Sequence, residues 1–166
     1  MRVGETIYPS QGEAVTCIRS GQDGGPFIFE FELAPGAKGP PTHSHDEGDE
    51  VIEVKEGEVV FRINGKDTLL RAGDRTTLTP SERHTFWNPS KTTTLRARVT
   101  HTARFERLIA QPSITSLLMY SCFVDPGASR IRNPLVKVAA FAIAWFGRLR
   151  GTRMVVDGTE IRPSQS

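Results

Sequence analysis

Three of the four histidines in this 166-residue chain are His43, His45 and His84, and a glutamate, Glu50, follows the first two closely. Residues i and i+2 of a strand point to the same face, so His43 and His45 can direct both imidazoles at one point. Neutral imidazole nitrogen and carboxylate oxygen are common donors to first-row divalent metals. Three nitrogens and one oxygen are therefore read as a site for one divalent transition metal. Four protein ligands close the sphere of a zinc ion, whereas a metal that accepts six keeps two positions for other molecules. Fe, Mn, Ni, Cu and Zn all remain open. Glu50 is also the candidate catalytic base, a role open to a carboxylate at a metal site. Of the neighbouring acids, Glu47 is the alternative carboxylate ligand, and Asp46 and Asp49 are expected to be solvated. His101 has no partner at ligand spacing and is expected at the surface.

The elements that must position these residues read as strands up to about residue 101. Phe27, Phe29, Phe31 and Leu33 alternate with Ile28, Glu30 and Glu32, the period of a half-buried strand. Further strands are expected over 50–54, 58–63, 68–71, 76–79, 84–87 and 93–100. Asn64-Gly65 marks a tight hairpin, because both residues tolerate positive φ. Phe86 and Asn88 share the face of His84 on a straight strand, which makes them candidates for a substrate pocket. Equally, Phe86 can be ordinary core, and Asn88 before Pro89 can simply end the strand. Arg96 and Arg98 alternate with Leu95, Ala97 and Val99 and are expected to face solvent.

These segments carry a family resemblance. His43-x-His45, four residues, Glu50, six residues and Gly57 resemble the first cupin motif. Gly73, eleven residues before His84, and Asn88 after three more residues resemble the second. Fifteen residues separate Gly57 from Gly73, a gap typical of small single-domain cupins. Two departures touch loop geometry and leave the four ligand positions intact. Gly36 and Gly39 flank the place of the usual glycine before the first His, and Pro80-Ser81-Glu82 stands for Pro-x-Gly with its proline one place late. The resemblance spans roughly residues 25–105. It implies a mainly β fold, an antiparallel double-stranded β-helix (jelly-roll) barrel over residues 1–105 with its core motifs at 37–88. Residues 106–166 then form a C-terminal helical extension packed on the barrel.

In that extension, helical composition is expected over 105–110 and 114–123, and a third helix starts at Pro134, which suits a first helical turn. On it, Leu135, Val138, Ala142, Trp145, Phe146 and Leu149 share one face, while Val136, Phe141 and Ile143 widen the apolar surface. Its apolar stretch falls short of the roughly 20 residues that span a bilayer, so no transmembrane segment is expected. An apolar helix wider than one contact face points to a homodimer.

Composition bounds the remaining possibilities. The chain suits one domain. Its net charge of +2 gives no case for nucleic acid. Residues 1–100 hold 12 basic and 15 acidic residues and residues 101–166 hold 9 and 4, an asymmetry read as a solvated helical surface. Cys17 and Cys122 fit no ligand pattern and read as free thiols. The start MRVGETIYPSQGE has no apolar run of signal-peptide length, so cytoplasmic residence is expected. No Ser-His-Asp order, phosphate loop or dinucleotide glycine pattern appears. What remains is a metal-dependent oxygenase or dioxygenase acting on a small organic molecule. The alternatives are a non-catalytic metal-binding or ligand-sensing module and a sugar isomerase or epimerase, since cupins include all of these.

Overall fold

The computed structural model describes residues 1–111, 118–131, 134–149, 155–156 and 159–160. Ten strands come first: β1 (Thr6–Ile7), β2 (Glu13–Arg19), β3 (Phe27–Leu33), β4 (His43–Ser44), β5 (Glu50–Glu56), β6 (Glu58–Ile63), β7 (Lys66–Arg71), β8 (Arg75–Leu78), β9 (His84–Trp87) and β10 (Leu95–His101). Helix α1 (Ala103–Ile109), a π-helical turn (Tyr120–Val124), β11 (Arg130–Ile131), α2 (Pro134–Leu149), β12 (Val155–Val156) and β13 (Thr159–Glu160) follow.

Two antiparallel sheets face each other, one ordered β1-β2-β3-β10-β5-β8 and the other β11-β4-β9-β6-β7. The chain crosses from sheet to sheet between β3 and β4, β4 and β5, β5 and β6, and again around β8 and β9, giving the expected jelly-roll barrel. Alternation assigns the faces. Phe27, Phe29, Phe31 and Leu33 of β3 are buried while Glu30 and Glu32 are exposed, and on β10 Leu95, Ala97, Val99 and His101 point inward. Arg96 and Arg98 point outward, where they lie 3.2 Å from Glu32 and 3.4 Å from Glu30. Exposed pairs of this kind add little stability. The inward residues form the hydrophobic core.

Turn chemistry sets the register. Asn64 and Gly65 both have positive φ, 50° and 87°, and join β6 to β7 in a two-residue turn that matches strand twist. Gly57 (φ 76°) joins β5 to β6 under a tighter constraint, since a Cβ there would lie 2.9 Å from the Thr94 carbonyl oxygen.

The C-terminal extension, expected as helices packed on the barrel, also contributes a strand to it. β11 adds to the second sheet, pairing Arg130 with Ser44 and Ile131 with His43. Leu108, Ile109, Met119, Tyr120, Ala128, Ala140 and Ala144 belong to the same buried core as the strands. Residues from both sides of position 105 thus share one core. The helix expected over 114–123 lies partly outside the described residues, and its end is the π-helical turn.

Helix α2 forms where expected but packs on another face. Leu135, Val138, Ala142 and Trp145 are exposed, whereas Ala140 and Ala144 are buried and Val136 and Phe141 half-buried. The Phe141 ring meets Phe123 edge-on at 4.9 Å. On a helix apolar nearly all round, hydrophobic periodicity cannot select the contact face; small side chains that permit close approach select it. No described helix is long and apolar enough to cross a membrane. Cys17 is buried and Cys122 half-buried, both as free thiols.

Two glycine substitutions separate turn strain from steric clash. Gly65→Ala has open space and only the positive φ to overcome, so urea unfolding should show a loss of about 1 kcal/mol. Gly57→Ala adds the clash with Thr94 and should lose a further 1 kcal/mol or more, on the order of a backbone-strain cost.

Candidate metal centre

β4 and β9 pair so that His43 lies directly opposite His84, and His45 follows two residues on, just past the end of β4. Glu50 opens β5 in the other sheet, opposite Leu78 of β8. Three histidines from one sheet and a carboxylate from the other thus converge inside the barrel. All four are buried, the least so Glu50 at 8% exposure. A ligand nitrogen from each of the three histidines lies within 4.8 Å of the others. Glu50 Oε2 is 3.3 Å from His84 Nε2 and 3.6 Å from His45 Nε2.

The outer nitrogens fix the protonation pattern. His43 Nδ1 lies 3.0 Å from the Pro41 carbonyl, His84 Nδ1 3.0 Å from the Glu82 carbonyl, and His45 Nδ1 2.5 Å from the Ala128 carbonyl. A carbonyl only accepts, so each Nδ1 carries a proton, and each ring in its neutral form has its Nε2 lone pair free for the centre. Metal-ligating histidines commonly show this arrangement, which orients the ring and raises its basicity.

Electrostatics follow from burial and mutual contact. Burial pushes the Glu50 carboxyl up, but its contacts with His45 and His84 outweigh this and hold it well below the usual carboxylate range. Burial lowers His43 well below the ordinary imidazole value, and the neighbouring His84 and His45 lower it further. His84 suffers the same burial, yet Glu50 beside it leaves it raised. Nε2 of His45 and Oε2 of Glu50 are buried without a hydrogen-bond partner among the described residues. Burying such atoms unpaired costs about 1–3 kcal/mol each. A divalent cation shared by the four side chains satisfies both, so the donor set fits a metal.

The carbonyl behind His45 belongs to a segment that sequence reading did not connect with the site. Asp46 N–H donates to the Gly127 carbonyl at 3.0 Å, and Arg130 Nη2 lies 2.5 Å from Asp46 Oδ2. Arg104 of α1 grips both carboxylate oxygens of Asp125 and reaches Glu47 at 3.4 Å. Asp46 and Glu47 are therefore engaged in holding the 125–130 segment. Glu47 faces Arg104 and is absent from the groups of side chains able to share a metal.

A cavity of about 360 Å³ opens from the site into the barrel. His43 and Glu50 stand in its wall with Phe29, Phe31, Phe61 and Phe105. Phe86 lines it too, packed against Phe31 at 5.3 Å and Phe61 at 5.2 Å. Asn88 does not, which corrects the pocket expectation. Its Nδ2 faces the carbonyls of Leu33, Ala34 and Thr93, and its Oδ1 accepts from Ser90 N–H, so its hydrogen-bonding capacity is spent on the backbone.

His101 corrects the sequence reading in the other direction. It is 3% exposed, stacked on Phe105 at 4.3 Å and edge-on to His45 at 4.5 Å. A ring nitrogen lies within 4.8 Å of donor atoms of His45 and Glu50. Ligand spacing gave no sign of it. The signal lay in strand alternation, because His101 shares the inward face of Leu95, Ala97 and Val99.

Residues 29–100 match the family described as Cupin_2, the cupin domain. The matched stretch runs from within β3 to within β10. Solved structures agree on the fold. A polyketide cyclase, RemF, from Streptomyces resistomycificus is similar with TM-score 0.52 and 20% identity, over 60% of this chain and 73% of that one. A cupin-like protein from Thermotoga maritima gives 0.51 and 21%, over 62% and 80%. A predicted oxalate decarboxylase from the same organism gives 0.51 and 25%, over 59% and 90%. No curated protein matches the chain.

The Arg104–Asp125 grip can be tested through pH. Asp125 is held below its ordinary value chiefly by its bond to Arg104. A depressed folded-state pKa contributes stability above the unfolded value of about 4, and that contribution is lost as pH falls through the folded value. Asp125→Asn should therefore cost roughly 1–3 kcal/mol at pH 7. The gap to wild type should narrow in urea unfolding from pH 5 towards pH 2.

Proposed function

We propose that this chain is a cupin that binds one divalent transition metal through His43, His45, Glu50 and His84 and uses it to transform a small organic molecule of mainly apolar body. The supporting observation is the joining of a buried set of orphaned donor atoms to an aromatic-lined cavity of about 360 Å³. That volume lies in the range of small-molecule sites. Such a metal supplies Lewis acidity and, where redox-active, electron transfer to dioxygen. Oxygenation is the reaction we put first, with Fe, Mn, Ni or Cu ahead of Zn because a six-coordinate ion keeps two positions beyond the four protein donors.

The chain's own residues have separable tasks. The carbonyls of Pro41, Ala128 and Glu82 keep the three Nε2 lone pairs aimed inward. Glu50 stays ionised between His45 and His84, where it would serve as a ligand and could also act as a base. Phe31, Phe61 and Phe86 exclude bulk water and fit a flat apolar body. The cavity wall carries Lys38 as its cation. A sugar, with hydroxyls on every side, suits this largely apolar wall poorly, which weighs against the isomerase or epimerase reading. A cyclisation without oxidation, the kind of reaction named for the polyketide cyclase among the structural neighbours, is the second reading.

Metal analysis checks the first step. Wild type should hold about one ion per chain, while His45→Ala and His84→Ala hold much less and stay folded, since the sheets retain their own core. Equal metal content in all three would falsify the ligand assignment. Oxygen-electrode assays of iron-, manganese-, nickel- and copper-loaded protein over phenols and diketones check the second. Uptake should accompany turnover of a compound that binds the cavity; turnover without uptake would support the non-oxidative reading.

The protein is further proposed to act as a homodimer through α2. Val138, Ile143 and Trp145 are exposed on this helix at 65%, 40% and 55%. A symmetric contact would bury them, and twofold pairing is the commonest closed assembly. Light scattering should give a dimer mass for wild type and a monomer for Val138→Glu/Trp145→Glu. A monomeric wild type across the micromolar range sinks the dimer.

A further inference from the structure

His101 looks at first like a fifth ligand, because it lies among the same donor atoms as His45 and Glu50. Its hydrogen bonding argues otherwise. The Thr102 backbone N–H points at His101 Nδ1 from 2.7 Å. An amide N–H only donates, so Nδ1 must accept, and the proton of the neutral ring sits on Nε2. The other three histidines face carbonyl oxygens with Nδ1 and hold the opposite tautomer. One ring among four thus presents a hydrogen where the others present lone pairs. An Nε2 that carries a proton has no lone pair for a cation.

That N–H is nonetheless built for a partner. His101 Nε2 is buried with no hydrogen-bond partner among the described residues. The ring cannot easily swing away to find one, being held by the Thr102 amide, stacked on Phe105 and edge-on to His45. His101 itself stands just behind the cavity wall, flanked by Val99 and Phe105 in the lining, and a ring nitrogen lies within 4.8 Å of a carboxylate oxygen of Glu50, which is part of that wall. A donor left unsatisfied in this position costs about 1–3 kcal/mol, which an acceptor atom on a guest molecule would recover.

We propose that His101 is a specificity-determining residue whose Nε2–H donates to an acceptor oxygen, carboxylate or phenolate in class, that a cavity ligand places beside Glu50 and His45. The ligand would then be an apolar body, matching the phenylalanine wall, with one compact oxyanion at the histidine end. This rests on the proposed metal reading for the cation that tolerates an anion beside Glu50. The tautomer itself does not depend on that reading.

The test therefore has two arms. Long-range ¹H–¹⁵N spectra of the imidazoles in metal-free protein at pH 8 should show His101 protonated at Nε2 and the other three at Nδ1. Protonation of His101 at Nδ1 overturns the proposal whether or not a metal binds. In the second arm, Co²⁺-loaded wild type, His101→Phe and His101→Gln are titrated with benzoate, read by cobalt absorption. Cobalt affinity should agree within about threefold across the three proteins. Benzoate affinity should fall ten- to a hundredfold in His101→Phe, the loss expected for a hydrogen bond to a charged group. His101→Gln, which offers an N–H at a similar reach, should restore part of it. A tenfold or greater loss of cobalt affinity in His101→Phe would make His101 a ligand and overturn the proposal, as would benzoate binding equally to all three. Wild type that takes up no cobalt while showing the Nε2 tautomer would instead defeat the metal reading and leave the donor assignment standing.

Discussion

Four ionisable side chains, His43, His45, His84 and Glu50, are buried together at one end of an apolar barrel, and most of the structure around them can be understood as the means of keeping them there. Burying unpaired polar atoms is unfavourable and does nothing for the fold on its own. The barrel tolerates it because every outer edge is satisfied. Carbonyls of Pro41, Glu82 and Ala128 hold the three rings from behind, and the 43–84 pairing across β4 and β9 fixes two of them in register. What stays unsatisfied is confined to the inner atoms, where a cation can serve several at once. The strain of the site is thereby directed to one point.

The same constraint explains the C-terminal segment. β4 is only two residues long and could not hold His45 by itself. β11 pairs with it, Gly127 accepts from Asp46, Ala128 accepts from His45, and Arg104 ties Asp125 to α1. Residues beyond 105 thus complete the wall of a site whose inner donors all come from before it. The Arg104, Asp125, Asp46 and Arg130 charges form a strap over the short strand. The Arg104–Asp125 pair is partly buried and so worth more than the exposed pairs on β3 and β10, where solvent screens the attraction, whereas Arg130–Asp46 is nearly as exposed as those.

What could be read in the sequence follows physical range. The three histidines and Glu50 were legible because strand periodicity and fixed loop lengths bring them together with little help from distant chain. The Asn64-Gly65 turn and the alternation of β3 were legible for the same local reason. Asn88 was misread because sharing a face with His84 says nothing about which backbone groups wait there, and three carbonyls from two other loops claim its amide. The strand Glu13–Arg19 went unseen because Ala14 and Thr16 dilute its alternation, and Arg130–Ile131 because two residues carry no period at all. α2 was recognised as a helix, but its contact face is chosen by alanines and not by its largest residues.

His101 shows most clearly where local reading ends. From spacing it was an isolated histidine at the end of a threonine-rich strand. Its meaning comes from one backbone amide, that of the next residue, which turns the ring into a donor while three carbonyls turn the others into acceptors. A cluster of four histidines is therefore not four equivalent ligands. The chemistry of each ring is set by the group behind it, and a carbonyl or an amide at that position decides whether the inner nitrogen binds a cation or an anion. Clustered around Glu50, the two kinds would, on the proposed reading, make a site complementary to an ion pair, a metal held by the protein and an oxyanion brought to it. The phenylalanine wall then accommodates whatever apolar body carries that oxyanion in.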